Sequence, residues 1–270
     1  MPQISIILPT FNVEKYIKKA LDSCINQSLK DIEIIVVDDL GSDNSINIAK
    51  EEALKDKRIK IIHNEKNLGT FASRNVGVLN SSSAYIMFLD PDDTLALNAC
   101  ELALKEIKDF DLICFDALVH RVNTKQFYRF KQNENFNQSE FLNFLLQQRH
   151  FCWSVWAKLF KKDMIFKVFQ KINPYEKLSY SEDMFFCYMY FMQCEKIRIC
   201  KELVYYYEFN ENGRYESKKF LYQNYLDKQK SFKFIKEFSL EFKNDIFHKN
   251  LFEILEKELN DLKNRLDRIV

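Results

Sequence analysis

The chain has 270 residues, 47% of them hydrophobic, which is enough to bury a sizeable core and excludes disorder as the dominant state. Its 40 basic and 39 acidic residues nearly cancel, which excludes the sequence-wide positive field behind nonspecific nucleic-acid binding, and no nucleic-acid partner is expected. Glycine is scarce, four against 25 Phe and 13 Tyr, and three of the four (Gly41, Gly69 and Gly77) stand before residue 80.

The opening MPQISIILPTF holds an apolar run too short for a signal-peptide core and has no basic stretch before it, so no leader is expected. Between residues 3 and 116 short apolar runs alternate with helical patterns. The runs are 4–8 (ISIIL), 32–37 (IEIIVV), 59–62 (IKII), 85–89 (YIMFL) and 111–115 (DLICF). Continuous β-branched stretches of this length suit strands buried on both faces of a parallel sheet. Val13, Ile17, Leu21 and Ile25 recur every four residues and predict a helix with Asn12 as its N-cap. The stretches 46–54 and 71–79 repeat the pattern less regularly. A βαβα order of this kind predicts an α/β fold with an open parallel sheet and helices on both faces.

Beyond residue 117 the alternation fades into aromatic segments: HFCWSVWAKLFKK (150–162), a helical SEDMFFCYMYFM (181–192) and a strand-like IRICKELVYYY (197–207). From Ser217 the sequence is helical in period and free of Gly and Pro, and Leu255, Leu259, Leu262, Leu266 and Ile269 form an a/d seam. The seven cysteines are irregularly spaced, lack a Cys-x-x-Cys pair and sit mostly in apolar stretches (Cys24, Cys114, Cys187). Reduced core thiols in a cytoplasmic protein are expected. No apolar run reaches the roughly 18 residues that suggest a membrane span.

In open parallel sheets ligands bind beyond the carboxyl ends of the strands. Here those positions read Pro9-Thr10-Phe11-Asn12, Asp38-Asp39-Leu40-Gly41-Ser42, His63-Asn64 and Asp90-Pro91-Asp92-Asp93, so polar and acidic clusters converge on one edge. Two aspartates one residue apart, with Pro91 fixing φ between them, can reach one hard divalent ion bound to a diphosphate. The same acids also serve as ordinary turn and helix-start residues. Asp38 and Asp39 admit two readings as well: a solvated turn with Asn44 or Ser45 capping the next helix, or a carboxylate that accepts hydrogen bonds from a nucleotide. No G-x-G-x-x-G follows the first strand and no G-x-x-x-x-G-K-[ST] occurs, which disfavours a dinucleotide dehydrogenase and a P-loop NTPase. Residues 9–12 (PTFN) likewise lack the glycine-rich loop of a nucleotidyltransferase.

The segments ISIILPTFN (4–12), EIIVVDDLGSDNS (33–45), NEKNLGTFASRNVG (64–77), FLDPDD (88–93) and SED (181–183), in this order and spacing, resemble the inverting GT-A glycosyltransferases of family 2 over roughly residues 1 to 185. Bacterial enzymes that build lipooligosaccharide and capsule, β-1,3-galactosyltransferases among them, look most similar. The resemblance implies a GT-A (Rossmann-like), mostly parallel sheet flanked by helices, with a helical C-terminal extension. It divides the chain into a nucleotide-sugar-binding half (1–116), an acceptor and catalytic-base half (117–215) and the extension (216–270).

By the same resemblance Pro9 and Phe11 border the uracil, Asp39 is its hydrogen-bond partner, Arg74 binds the base or the diphosphate, and Asn67 and Gly69 shape that loop. Asp90 approaches the ribose or the metal, Asp92 is the main protein ligand of Mn²⁺ or Mg²⁺, and Asp183 is the catalytic base with Glu182 as the alternative. Such a metal and Arg74 would neutralise the departing nucleoside diphosphate while the base takes the acceptor's proton, giving inversion in one displacement. The implied donor is a UDP-sugar, UDP-galactose first, with UDP-glucose and UDP-N-acetylhexosamine as alternatives. The implied acceptor is a glycan, lipid-linked in one reading. A noncatalytic nucleotide-sugar-binding protein is the rival class.

Departures from the family pattern are specific. The usual Asp-Asp-Gly-Ser turn carries Leu40 before Gly41, and the Gln-x-x-Arg-Trp motif of processive synthases is missing. Tyr205-Tyr206-Tyr207 is followed by Glu208-Phe209-Asn210 where relatives often place a metal- or diphosphate-touching His or Arg, so the third ligand is unassigned and Arg214 is the phosphate candidate. Trp153 and Trp156, with Lys158, resemble the acceptor-side segment, and sugar stacking and core packing are both open for them. His63, His120, His150 and His248 form no i,i+4 pair and read as structural or surface groups. The Lys- and Phe-rich stretch 219–238 fits either the inner face of the cytoplasmic membrane or a helix packed on the catalytic domain, and the leucine seam suggests a homo-oligomer.

Overall fold

The computed structural model describes all residues except 122–123, 129, 148–152, 211–219, 243–244 and 269–270; Arg214, His150 and Ile269 lie outside the described residues. The first four apolar runs form β1 (Ile4–Thr10), β2 (Ile32–Asp38), β3 (Ile59–His63) and β4 (Tyr85–Phe88), paired in parallel in the order β3-β2-β1-β4. Every residue of β1 and β2 is buried, because helices cover both faces. Ile6, Leu8, Ile34 and Val36 cluster with residues of α1 (Ile17–Ile25) and α2 (Ser45–Lys55), whereas Ile7, Ile35 and Val37 cluster with Phe71 and Val78 of α3 (Thr70–Leu79). The period of two along each strand sorts the side chains between these layers. A Cβ on Gly77 would run into Ile7, so glycine there lets α3 lie close against the sheet.

Two capping expectations are corrected. Helix α1 starts at Ile17; Asn12 instead takes φ +53° and accepts the Ser42 amide on Oδ1 at 2.7 Å, tying the loop after β1 to the loop after β2. At the start of α2 the accepting side chain is Asp43, which takes the amide and the hydroxyl of Ser45 at 3.0 and 2.5 Å.

The fifth run forms β6 (Leu112–Arg121), after β5 (Thr94–Leu95) and α4 (Ala99–Ile107). Then come β7 (Thr124–Tyr128), β8 (Glu134–Asn137), α5 (Gln138–Gln147), β9 (Lys158–Lys161), α6 (Lys162–Phe169), α7 (Glu182–Phe191) and β10 (Lys196–Tyr207). Strand β9 enters antiparallel between β4 and β6, and β10 lies parallel to β6, so the sheet continues β4-β9-β6-β10-β5. It is mixed rather than wholly parallel, and it runs unbroken through the expected boundary after residue 116, which falls inside β6. Beyond its acidic first turn helix α7 is apolar all round and buried from Met184 to Phe191, as a central core helix must be; Phe186 and Tyr190 pack their rings against Phe160 of β9.

The chain ends in α8 (Leu221–Ser239) and α9 (Asp245–Asp267). Phe232 and Ile235 of α8 and Phe247, Leu251 and Leu255 of α9 belong to the same core cluster as α7. Lys228 pairs with Glu258 at 2.5 Å, Lys236 with Glu256 at 3.1 Å, and Lys230 with Glu176. Helix α8, which spans most of the stretch 219–238, is thus packed on the catalytic domain through its buried side chains and these ion pairs. Two residues of the leucine seam, Leu255 and Leu262, are buried within the chain. Among the described residues no helix is long and apolar enough to cross a membrane, and six cysteines are buried free thiols.

Candidate active site

The acidic turn after β4 is held from behind. Tyr205 of β10 accepts the Asp90 amide on Oη at 3.2 Å and donates its hydroxyl to Asp93 Oδ2 at 2.6 Å, while the Glu208 amide donates to Asp93 Oδ1 at 2.8 Å. Asp93, 1% exposed, thus points inward and anchors the turn. Trp156 stacks on Tyr205 with ring centroids 5.0 Å apart and is buried, so it packs in the core and braces Tyr205. Trp153 is partly buried and stacks on Phe191 of α7, and Lys158 is buried, donating to the Ser154 carbonyl at 2.7 Å. Asp90 and Asp92 stay partly exposed, and Asn210 Nδ2 donates to Asp92 Oδ2 at 2.9 Å. Burial and the neighbouring Asp90 charge push the Asp92 carboxyl above the usual carboxylate range, and burial with the charges of Asp92 and Asp90 does the same more strongly to Asp93.

Arg74 of α3 brings the rest of the constellation together. Its Nη2 donates to Asp90 Oδ1 at 2.6 Å; its Nη1 donates to Glu182 Oε1 at 3.1 Å and to Asp183 Oδ1. The side chain is buried and its Nε has no partner. Both terminal nitrogens of Arg74 are thus directed at carboxylates. Asp183, at the first turn of α7, also accepts the Val155 amide on Oδ2 at 3.3 Å. Glu182 is buried, and that burial together with the Asp183 charge pushes its carboxyl up despite Arg74. Ser181, just before α7, takes a left-handed φ of +57°, which aims the first turn of the helix back toward Arg74.

Asp39 has a different local task from the one expected. Its Oδ1 accepts Asn64 Nδ2 (2.8 Å) and the Leu68 amide (2.7 Å), and its Oδ2 accepts Asn67 Nδ2 (3.0 Å) and the Gly69 amide (2.9 Å). Four donors converge on one carboxylate, so Asp39 organises the 64–69 loop. Asn67 and Gly69 do shape that loop: Gly69 sits at φ +83°, and a Cβ there would come within 2.7 Å of Ser179 Oγ. Asp38 is hydrogen-bonded to the half-exposed His63 at 2.7 Å. Pro9 is buried within β1, whereas Phe11, 47% exposed, stands free beyond its carboxyl end.

Residues 5–167 match the family described as glycosyl transferase family 2. The chain belongs to this family. Its similarity to the uncharacterized glycosyltransferase EpsJ of Bacillus subtilis (strain 168) is 30% identity over 221 residues, 79% of this chain and 63% of that protein; the chain thus spans less than two thirds of this relative. Among solved structures, S. aureus TarS 1–349 in complex with UDP superimposes with a TM-score of 0.66 at 20% identity, covering 89% of this chain and 72% of that one. The mannosyltransferase PcManGT from Pyrobaculum calidifontis, in complex with GDP-Man and Mn²⁺, does so with 0.63 at 14% identity, covering 96% and 70%. These likenesses show the GT-A fold.

The structure brings Asp90, Glu182 and Asp183 together around Arg74, with Asp92 beside Asp90, and the sequence reading missed what holds these acids: Tyr205, Asn210 and the Val155 amide. Tyr205 carried no signal beyond an apolar, alternating strand. Asn210 stood at the position where a His or Arg was sought, and its amide was overlooked for that reason.

Proposed function

We propose that the chain transfers a hexose from a UDP-sugar, with galactose the first to test, onto a hydroxyl of a bacterial surface glycan such as lipooligosaccharide or capsule, with inversion and with the help of Mn²⁺ or Mg²⁺. The observation that carries this reading is the convergence of Asp90, Asp92 and Asp183 on one edge of the sheet around a single guanidinium. Three carboxyl groups (Asp90, Glu182, Asp183) pair with one Arg there, and Asp92 stands beside Asp90, so a diphosphate would be repelled unless a cation came with it.

The donor set fits such an ion: Asp90 and Asp92 offer hard oxygen ligands, and the unfavourable Asp90–Asp92 charge pair is what a divalent cation relieves. Among the described residues no group of three or more His, Cys, Asp or Glu could hold an ion, which suits one that takes its remaining ligands from diphosphate and water. When bound, the ion would supply neutralisation of the leaving diphosphate. Asp183, anchored through both oxygens and partly exposed, would accept the proton of the acceptor hydroxyl as it attacks the anomeric carbon, so no covalent intermediate is needed. Phe11 would lie against the base, with Pro9 behind it in the strand. TarS in complex with UDP and PcManGT with GDP-Man and Mn²⁺ support a nucleotide-sugar donor and a metal. UDP-glucose and UDP-N-acetylhexosamine remain the competing donors.

The test is UDP release from a panel of UDP-sugars with Mn²⁺ and crude lipooligosaccharide, comparing wild type with Asp92→Ala and Asp183→Asn. Metal-dependent release lost in both variants supports the transferase and names the donor. UDP binding without release from any donor would favour a noncatalytic nucleotide-sugar-binding protein.

A further inference from the structure

We propose that Arg74 is a positioning residue that holds the base Asp183 and the donor-side acid Asp90 in one frame, and is not a ligand of the diphosphate. The inference rests on the transferase reading above. Its observation is geometric. The fork of the guanidinium is divided: Nη2 reaches the turn after β4 at 2.6 Å, and Nη1 reaches both acids of the first turn of α7. Asp90 and Asp183 lie on different elements and have no other shared partner among the described residues, so one side chain sets their separation.

Arg74 is itself fixed. Gly77 seats α3 against β1 and β2, Asn75 Nδ2 donates to the Pro174 carbonyl at 2.9 Å, and the Phe71 amide donates to the Leu178 carbonyl at 3.1 Å. The last two bonds tie α3 to the segment that leads into Ser181 and α7. The frame is therefore closed: α3 to the loop before α7, α7 to Arg74, Arg74 to the metal turn. A side chain 5% exposed, with its terminal nitrogens directed at three carboxyl groups, would have to abandon the buried Glu182 and the partly exposed Asp90 and Asp183 to reach a phosphate.

Frame residues act on kcat more than on donor binding. A displacement of about 1 Å in a reacting group can cost about 100-fold in rate, and a lysine, whose ammonium is a point charge, cannot bridge two sites as a planar fork does. The measurement compares wild type with Arg74→Lys and Arg74→Ala in three ways: UDP affinity by calorimetry with and without Mn²⁺, kcat and KM for transfer, and activity in added methylguanidine. Melting temperatures establish that each variant is folded.

The expected result is UDP affinity within about threefold of wild type, kcat lower by about 100-fold in both variants, and recovery of Arg74→Ala by methylguanidine but not by an equal concentration of sodium chloride. A tenfold or larger loss of UDP affinity, with kcat at saturating donor near wild type, would make Arg74 a diphosphate ligand and overturn the proposal. Should neither variant fold, the side-chain ¹⁵N signals of Arg74 in the wild-type protein decide: unmoved by UDP, they support the frame, and shifted by it, they sink it. If wild type releases no UDP from any donor, the transferase reading fails on its own, while the binding comparison still shows whether Arg74 touches the nucleotide.

Discussion

Buried carboxylates at the two ends of the central sheet are treated in opposite ways. At the amino ends, Glu33 of β2 accepts hydrogen bonds from Ser5 Oγ (2.6 Å), Lys60 Nζ (2.6 Å), and the Ser82 amide (2.6 Å) and hydroxyl (3.0 Å), and Ser83 adds its amide at 3.2 Å. Burial pushes the Glu33 carboxyl up, but Lys60, Ser5 and Ser82 outweigh that and hold it down at about 2. In the turn after β4 and the first turn of α7, acids crowd together, and burial with mutual repulsion raises Asp92, Asp93 and Glu182. The first cluster is complete without anything else. The second is costly to assemble for stability alone, and the cation proposed above would relieve that cost.

That contrast makes predictions of different sign at the two ends. The largest effect belongs to Asp183→Asn, which should lower transfer by about 1,000-fold while leaving UDP affinity unchanged; near-normal transfer would remove Asp183 as the base. Next, Glu33→Gln should cost about 2 kcal/mol of stability, measured by urea unfolding at neutral pH, with kcat unaffected. Because the folded pKa of Glu33 lies below its unfolded value, its contribution is present above about pH 4.3 and is lost as pH falls toward about 2. The variant should accordingly show a flatter loss of stability in acid, and an unchanged acid slope would contradict the saturated-carboxylate account.

At the opposite end Asp92→Asn should raise stability by about 1 kcal/mol in metal-free buffer, because it removes one of the crowded charges and keeps an acceptor for Asn210, yet it should abolish metal-dependent turnover. A lower melting temperature would mean that Asp92 is structural. The smallest effect concerns Leu40, 47% exposed and held at φ +59°. Left-handed backbone costs a side-chain-bearing residue about 1 kcal/mol, and glycine's greater freedom when unfolded offsets part of the relief. Leu40→Gly should gain about 0.5 kcal/mol by differential unfolding; a loss would show that the leucine side chain makes up for the strain.

Local pattern was enough for a large part of this molecule. Strands β1 to β4, the start of β6, α3 and α7 follow from apolar period and composition, and the placement of Asp38, Asp39, Asp90 and Asp92 at one edge follows from those strands being parallel. Non-glycine residues forced to positive φ were not legible: Asn12, Leu40, Ala157 and Ser181 all flank strands or helices at the candidate site, and no residue type among them announces the conformation.

Partners were decided only in three dimensions. Arg74 and Asp183 are 109 positions apart and meet because α7 packs beneath the strand edge, so an arginine of α3 came to pair with an acid of α7. Asp39 acquired four donors from a loop 25 to 30 residues on, and Trp156 was buried because β9, antiparallel between β4 and β6, carries the segment before it against Tyr205. Period and residue chemistry are properties of a few neighbouring positions and are read directly from the sequence. The occupant of a hydrogen-bond site is a property of the whole packing, since a guanidinium or carboxylate is satisfied by whichever groups the topology brings within about 3 Å.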